Sequence, residues 1–321
     1  MKYGRLGRSA LKISRLCLGT MNFGPRTPDH ESFAILSDAV EIGVNFIDTA
    51  NQYGGHLGVG TSETIIGKWL AQDRARRHRI VLATKVYEPM SDEVNDRGLS
   101  ARHIQMACDA SLKRLNVDHI DLYQMHHIDR AAPSEEIWQA MGRLIGQGKI
   151  IYVGSSNFPG WKIAQMSERA TVNRQLGLVS EQSLYNLVER RAELEVIPAC
   201  REYGVGVLAW GPLAGGLLAG GDQEQAVRRH SDSHKDAAAA RATQLARFGG
   251  LCRELDETPA AVALAWLLHQ DTIASTIIGP GTRAQLAAIL HAPEIGLADD
   301  VLAKIDAIFP ACGPAPEAYA W

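Results

Sequence analysis

The chain has 321 residues, 46% apolar and 21% charged, which is the balance of a globular protein and excludes a disordered or fibrous one. Its 33 Lys and Arg nearly cancel 36 Asp and Glu, and the net charge of -3 gives no long-range field for nucleic acid or an anionic membrane. Five cysteines without a CxxC pair argue against a disulfide framework or a thiolate zinc site and are expected to be buried apolar residues.

KYGRL and LKIS around Gly7-Arg8-Ser9 read as a hairpin at the N-terminus. That segment lacks the run of about 7 to 15 apolar residues of a signal peptide, and no stretch of about 18 offers a membrane span. A cytoplasmic location is the expectation.

Eight strand-like runs follow: RLCLGT (15–20), NFIDTA (45–50), IVLATKV (80–86), HIDLYQMHH (119–127), IIYVGSSN (150–157), GLVSEQSL (177–184), VGVLAW (205–210) and STIIGPG (275–281). Segments of helical spacing separate them, with faces at Phe33, Leu36 and Val40, at Ile104, Ala107, Ser111 and Leu115, and at Ile137, Met141 and Leu144. Ser134, Thr61 and Thr258-Pro259 mark helix starts, and Gly43 and Gly146 helix ends. Eight βα units without a linker predict an α/β fold, a single (β/α)8 TIM barrel domain over residues 1–321 whose N-terminal β-hairpin plugs one mouth. The polar segment 221–244 reads as a mobile loop leading into a helix, 297–309 as one more amphipathic helix, and about 310–321 as a loose tail.

In such a barrel the active site forms at the C-terminal ends of the strands. Those ends hold Asp48, with Tyr53 five residues on, then Lys85 in an apolar run, then His126 and His127. Each has an ordinary structural reading, but together they suit protonation of an alkoxide formed when a carbonyl accepts a hydride. Tyr53 is the acid, its pKa moved toward working pH by the Lys85 ammonium. Asp48 fixes Lys85, and His126 orients the carbonyl.

The stretch GSSN, with Ser156 and Asn157, and the amide of Gln182 suit a carboxamide and bracket a nicotinamide, on whose ring Trp210 stacks. Gly211, Pro212, Leu213 and Gly215 let the backbone approach a pyrophosphate. GPGTRAQL (279–286) reads as a phosphate site at a helix N-terminus, with Thr282 and Arg283 touching a ribose phosphate. A complete Rossmann unit does not fit in the residues that remain. Metal catalysis by His126, His127 and Asp129 is disfavoured because adjacent histidines on a strand point to opposite faces, so no metal is expected.

These motifs, GTMNFG (19–24), GVNFIDTANQYGG (43–55), ATKV (83–86), HIDLYQMHHID (119–129), GKIIYVGSSNF (148–158), SEQSLYNL (180–187), LAWGPLAGGLL (208–218) and IIGPGTRAQL (277–286), resemble those of the aldo-keto reductase superfamily. The likeness is greater to its bacterial and channel-β-subunit-like branch. The resemblance implies an oxidoreductase with catalytic Asp48, Tyr53, Lys85 and His126, which passes a hydride from NADP(H) to an aldehyde or ketone. It implies cofactor contacts at Thr20, Met21, Asp48, Ser156, Asn157, Gln182, Trp210, Gly211, Pro212, Leu213, Gly215, Gly279, Gly281, Thr282, Arg283 and Gln285. Departures at Gly211, Gly281 and Ala288-Ile289 leave NAD(H) open.

A substrate pocket is expected around Asn22, Tyr87, His127, Trp161 and the 221–244 segment. The partner is a small carbonyl compound, with no nucleic acid and no membrane. Alternatives are a nucleotide-sugar keto- or enoyl-reductase, a steroid double-bond reductase, and a cofactor-holding, redox-sensing subunit with slow chemistry.

Overall fold

The N-terminal runs pair as an antiparallel hairpin, β1 (Tyr3–Arg5) with β2 (Lys12–Ser14), Tyr3 opposite Ser14. Gly7 in the connection has φ +53°, and a Cβ there would lie 2.3 Å from the Val179 carbonyl oxygen, so only glycine lets the hairpin close against the barrel. The structure, a computed structural model, describes residues 1–220 and 232–320. Strands and helices then alternate: β3 (Leu16–Gly19), α1 (Asp29–Glu41), β4 (Phe46–Asp48), α2 (Thr61–Gln72), β5 (Val81–Val86), α3 (Ala101–Leu115), β6 (Ile120–Met125), α4 (Ser134–Gly146), β7 (Ile150–Ser156), α5 (Gly160–Val172), β8 (Leu178–Leu184), α6 (Val196–Glu202) and β9 (Gly206–Trp210). After these come α7 (Asp232–Ala240), α8 (Ala242–Glu254), α9 (Pro259–His269), β10 (Ile273–Ile278), α10 (Arg283–Ala287), α11 (Asp299–Ile308) and α12 (Glu317–Ala320).

β3 to β10 close into a barrel in chain order, every neighbouring pair parallel. The (β/α)8 TIM barrel and its N-terminal hairpin are therefore present. The reason is the one the runs carried: parallel strands buried on both faces need near-continuous apolar sequence, and the helices between them each supply one apolar face. Leu6 and Ile13 of the hairpin pack with Cys17, Phe46, Val81, Leu122, Val179 and Leu208, which plugs the mouth at the strands' N-terminal ends. A larger apolar layer lies between strands and helices, with Ile104, Ala107 and Leu115 of α3 and Ile137, Met141 and Leu144 of α4 in it.

Several local expectations need correction. The last strand starts at Ile273 and ends at Ile278, so residues 279–281 belong to the loop that follows it. The helix starts are where the sequence put them, for Thr258 caps α9 by accepting from the Ala261 N–H and Thr61 and Ser134 are the first residues of α2 and α4, though there Gly60 and Pro133 hold the cap position and make no side-chain cap bond. Ser134 Oγ instead donates to Gln165 and accepts from Lys162, because α4 is tied to α5 there. Gly43 and Gly146 do mark helix ends: Gly43 follows α1 with φ +95°, and Gly146 is the last residue of α4, with the left-handed residue after it at Gly148. Cys312 is exposed, unlike the other four cysteines. Of the 221–244 segment, 232–240 belong to α7 and 242–244 to α8, with Arg241 between them, and 221–231 lie outside the described residues. The C-terminal segment carries α12, with the Tyr319 hydroxyl donating to Glu195. Among the described residues no helix is long and apolar enough to cross a membrane.

Candidate active site

Four strands bring one buried ion pair together. β4 ends at Asp48, and the register sets β5 beside it, with Lys85 two residues beyond the Asp48 and Ala83 partners. Both side chains are buried, at 2% and 0% exposure, so neither charge could persist alone. Lys85 Nζ donates to Asp48 Oδ2 at 2.5 Å, to the Thr49 carbonyl at 2.8 Å and to the Tyr53 hydroxyl at 3.2 Å. Those three acceptors use all three ammonium protons. Asp48 Oδ1 accepts from the amides of Gln124, on β6, at 2.9 Å and Gln182, on β8, at 3.0 Å.

Burial lowers the affinity of the Lys85 amine for its proton, but the Asp48 carboxylate and Tyr53 outweigh it and the net shift is upward. The Tyr53 phenol is raised above its ordinary value, first by burial, with Lys85 pulling the other way and Asp48 adding to the rise. This corrects the expectation of a phenol brought down toward working pH: desolvation of the phenolate exceeds the pull of the ammonium. His126 packs edge-on against Tyr53 with ring centroids 5.9 Å apart. Burial, then Lys85, then His127 pull its imidazole down to about 2, so it is neutral. Its Nδ1 is buried without a partner.

His127 does not point away from His126. Both residues follow the last residue of β6, where the pleat no longer alternates them, and their rings stack at 5.0 Å with planes 10° apart. The geometric ground for separating the two histidines therefore fails, although no group of three or more metal-ligating side chains occurs among the described residues. His127 also meets Glu88 at 3.0 Å and Tyr87 edge-on.

Beside this cluster, Trp210 ends β9 half-buried and donates its indole N–H to Asn157 Oδ1 at 3.1 Å, which fixes the ring's orientation. Asn157 has φ +57° and donates through Nδ2 to the His126 carbonyl and to Ser156 Oγ. Ser156 Oγ donates in turn to the Gln182 carbonyl. Beneath that turn lies Glu181, on the outer face of β8, where pleating puts Gln182 on the inner one. Its Oε1 accepts from the Phe158 N–H and Ser183 Oγ, and Ser155 Oγ donates to Oε2. Burial pushes this carboxyl up to about 7 against those hydrogen bonds. Thr20 Oγ1 donates to the Asp48 carbonyl and accepts from Ser62, while Met21 is exposed. Gly211 and Gly215 have positive φ, and nothing lies within 4 Å of where a Gly215 Cβ would stand.

The loop between β10 and α10 is built differently. Thr282 caps α10, accepting from the Gln285 N–H, and Gln285 Oε1 accepts from the Gly281 N–H. Asn22 donates to the Gly279 carbonyl. Arg283 places its guanidinium on both oxygens of Asp38 and its backbone N–H on Glu31. Two carboxylates from α1 therefore stand where an anion was expected. Trp161 lies exposed on α5 with Lys162 over its ring, held by none of the contacts that join the cluster.

Reading the strand ends missed Gln124, Glu181 and the acidic partners of Arg283. For Gln124 a signal was there: a polar residue within the apolar run of β6, the same sign that singled out Lys85 on β5.

Comparison with known proteins agrees with this fold. The model of the Aldo/keto reductase family matches residues 15–309. An uncharacterized oxidoreductase YrpG of Bacillus subtilis is 49% identical, covering 100% of each chain. Versiconal hemiacetal acetate reductase of Aspergillus parasiticus is 30% identical over 95% of this chain and 96% of its own. A probable voltage-gated potassium channel subunit beta of Arabidopsis thaliana is 32% identical over 99% and 100%. With eight parallel strands closed around a buried Asp48–Lys85 pair, the chain belongs to the aldo/keto reductase family.

Proposed function

We propose that the protein reduces an aldehyde or ketone to an alcohol with NADP(H), and that Tyr53 gives the proton to the substrate oxygen. The observation that carries this reading is the saturation of Lys85: its three donors are spent on Asp48, Thr49 and Tyr53. The phenol oxygen therefore accepts from the ammonium, and its own O–H proton is left for a substrate. Burial keeps that proton on the phenol, and the ammonium at 3.2 Å stabilises the phenolate once the proton has gone.

His126, neutral and edge-on to Tyr53, offers an imidazole N–H to the same oxygen without adding positive charge. The residues present fit a dinucleotide. The oriented Trp210 indole suits one face of a nicotinamide, the open backbone at Gly215 suits a pyrophosphate, and Ser156, Asn157 and Gln182 suit the carboxamide. When bound, that cofactor supplies the hydride. The relatives named as reductases support the reaction class. Likeness to the plant channel subunits favours a second reading, a cofactor-holding subunit with slow chemistry, which the rate of carbonyl reduction after premixing with NADPH separates from the first.

The test is Tyr53→Phe. It should lower kcat for carbonyl reduction by about 100- to 10,000-fold, with the NADPH dissociation constant unchanged. Wild-type turnover in this variant on every accepted carbonyl overturns the assignment.

A further inference from the structure

Asp48 can direct Oδ2 at Lys85 only if its carboxylate is held about χ2, and that torsion is broad and roughly twofold in aspartate. The hold must come from donors on Oδ1. Gln124 supplies one at 2.9 Å from a fully buried position on β6, paired in register with Lys85 on one side and Gly154 on the other. Its own amide is fixed in turn, because Oε1 accepts from Gln182 Nε2 at 3.3 Å and so Nε2 faces Asp48. β7 leaves the space for it: a Cβ on Gly154 would stand 3.1 Å from Gln124 Cγ and 2.4 Å from Ser180 Oγ. Lys85 has no fourth proton to contribute, and Gln124 meets neither the Lys85 ammonium nor the Tyr53 hydroxyl in a hydrogen bond.

We propose that Gln124 is a positioning residue for carbonyl reduction. It holds Asp48 so that the carboxylate, through the Lys85 ammonium, sets the Tyr53 hydroxyl. The inference rests on the reading of Tyr53 as proton donor.

Gln124→Met keeps the length of the side chain and removes the donor. It should lower kcat about 10- to 100-fold, the effect of one hydrogen bond to a charged group, with the NADPH dissociation constant unchanged. That unchanged affinity also reports an intact fold. Gln124→Glu reads the mechanism directly. A neutral carboxyl at this position donates to Asp48 and an ionised one repels it, so activity should be retained at low pH and lost as pH rises, along a limb absent from the wild type. The titratable groups around the position are Asp48 from β4, Lys85 from β5, Cys17 from β3, Tyr53 from the loop after β4 and His126 after β6, and all are shared with the wild type.

Wild-type kcat in Gln124→Met overturns the proposal. So does a wild-type pH profile in Gln124→Glu, which decides the matter if the Met variant does not fold. Tyr53→Phe measured alongside keeps the two readings apart. Full turnover there removes the function reading, whereas loss there with no effect at Gln124 removes this inference alone.

Discussion

The cluster at the ends of β4, β5, β6 and β8 and the rim between β10 and α10 both carry charged side chains, and they use them in opposite ways. Inside, Asp48 and Lys85 are almost fully buried and every donor of the ammonium has an acceptor. At the rim, Arg283 is 59% exposed and pairs with Asp38, itself 32% exposed. A charge without water must find a built partner, whereas a charge in water takes whichever partner is near and gains little from it. Substitutions of the charged pair in the first region should therefore disturb stability and chemistry together, and those in the second only binding.

The largest effect is expected at Lys85. Lys85→Met should lower kcat for reduction as far as Tyr53→Phe does and also cost about 3 to 5 kcal/mol of stability, since it strands a carboxylate in the interior. Adding Asp48→Asn to Lys85→Met should restore most of that stability and none of the activity. Urea denaturation beside turnover measures both. A Lys85→Met protein as stable as the wild type would break the contrast between interior and rim.

Next comes Glu181, the interior carboxyl under the Asn157 turn. Its folded value is raised to about 7 from the ordinary 4.5, so the unfolded chain gives up this proton first as pH rises. The sign follows: the stability that the neutral group contributes is complete below about pH 4.5 and is lost as pH rises to about 7. For a fully buried group, a shift of this size corresponds to roughly 3 kcal/mol. Glu181→Gln cannot ionise, so relative to the wild type it should gain by about that amount between the two ends of the window. Parallel stability curves for the two proteins from pH 4 to pH 8 would show that Glu181 is not the titrating group.

The same contrast explains what could be read from the sequence. All eight strands were legible, most of them as short apolar runs and β8 (LVSEQSL) by its place in the βα alternation, and Lys85 was legible because a lone cation in an apolar run needs a partner. The Asp48–Lys85–Tyr53 contact was expected from strand ends alone. The partners of Arg283 were not, since Asp38 lies 245 residues away and the pairing depends on how α10 is set against α1. Nor does sequence say which way an amide faces, and so Gln124 stood in a quoted motif without a role. The direction of the Tyr53 shift was lost for a related reason. A neighbouring ammonium can be guessed from residue types, but the depth of burial that outweighs it can be read only from the fold.

The smallest effect separates the two regions most finely. If the rim reads the 2′-phosphate of NADPH, Arg283 must turn from Asp38 to the phosphate, and the Glu31 carboxylate on its backbone N–H must give way. Both carboxylates then compete with the ligand. Asp38→Asn leaves the guanidinium without its anionic partner and should tighten NADPH by a few fold while leaving NADH and turnover unchanged. Arg283→Ala should weaken NADPH and spare NADH, and it should make the Asp38 substitution silent, because the two act through one contact. Tm should move little in any of these variants, as expected for an exposed pair. If Asp38→Asn tightened both cofactors equally, with or without Arg283, the effect would be general charge at the rim, and recognition of the 2′-phosphate would have to be sought on another loop.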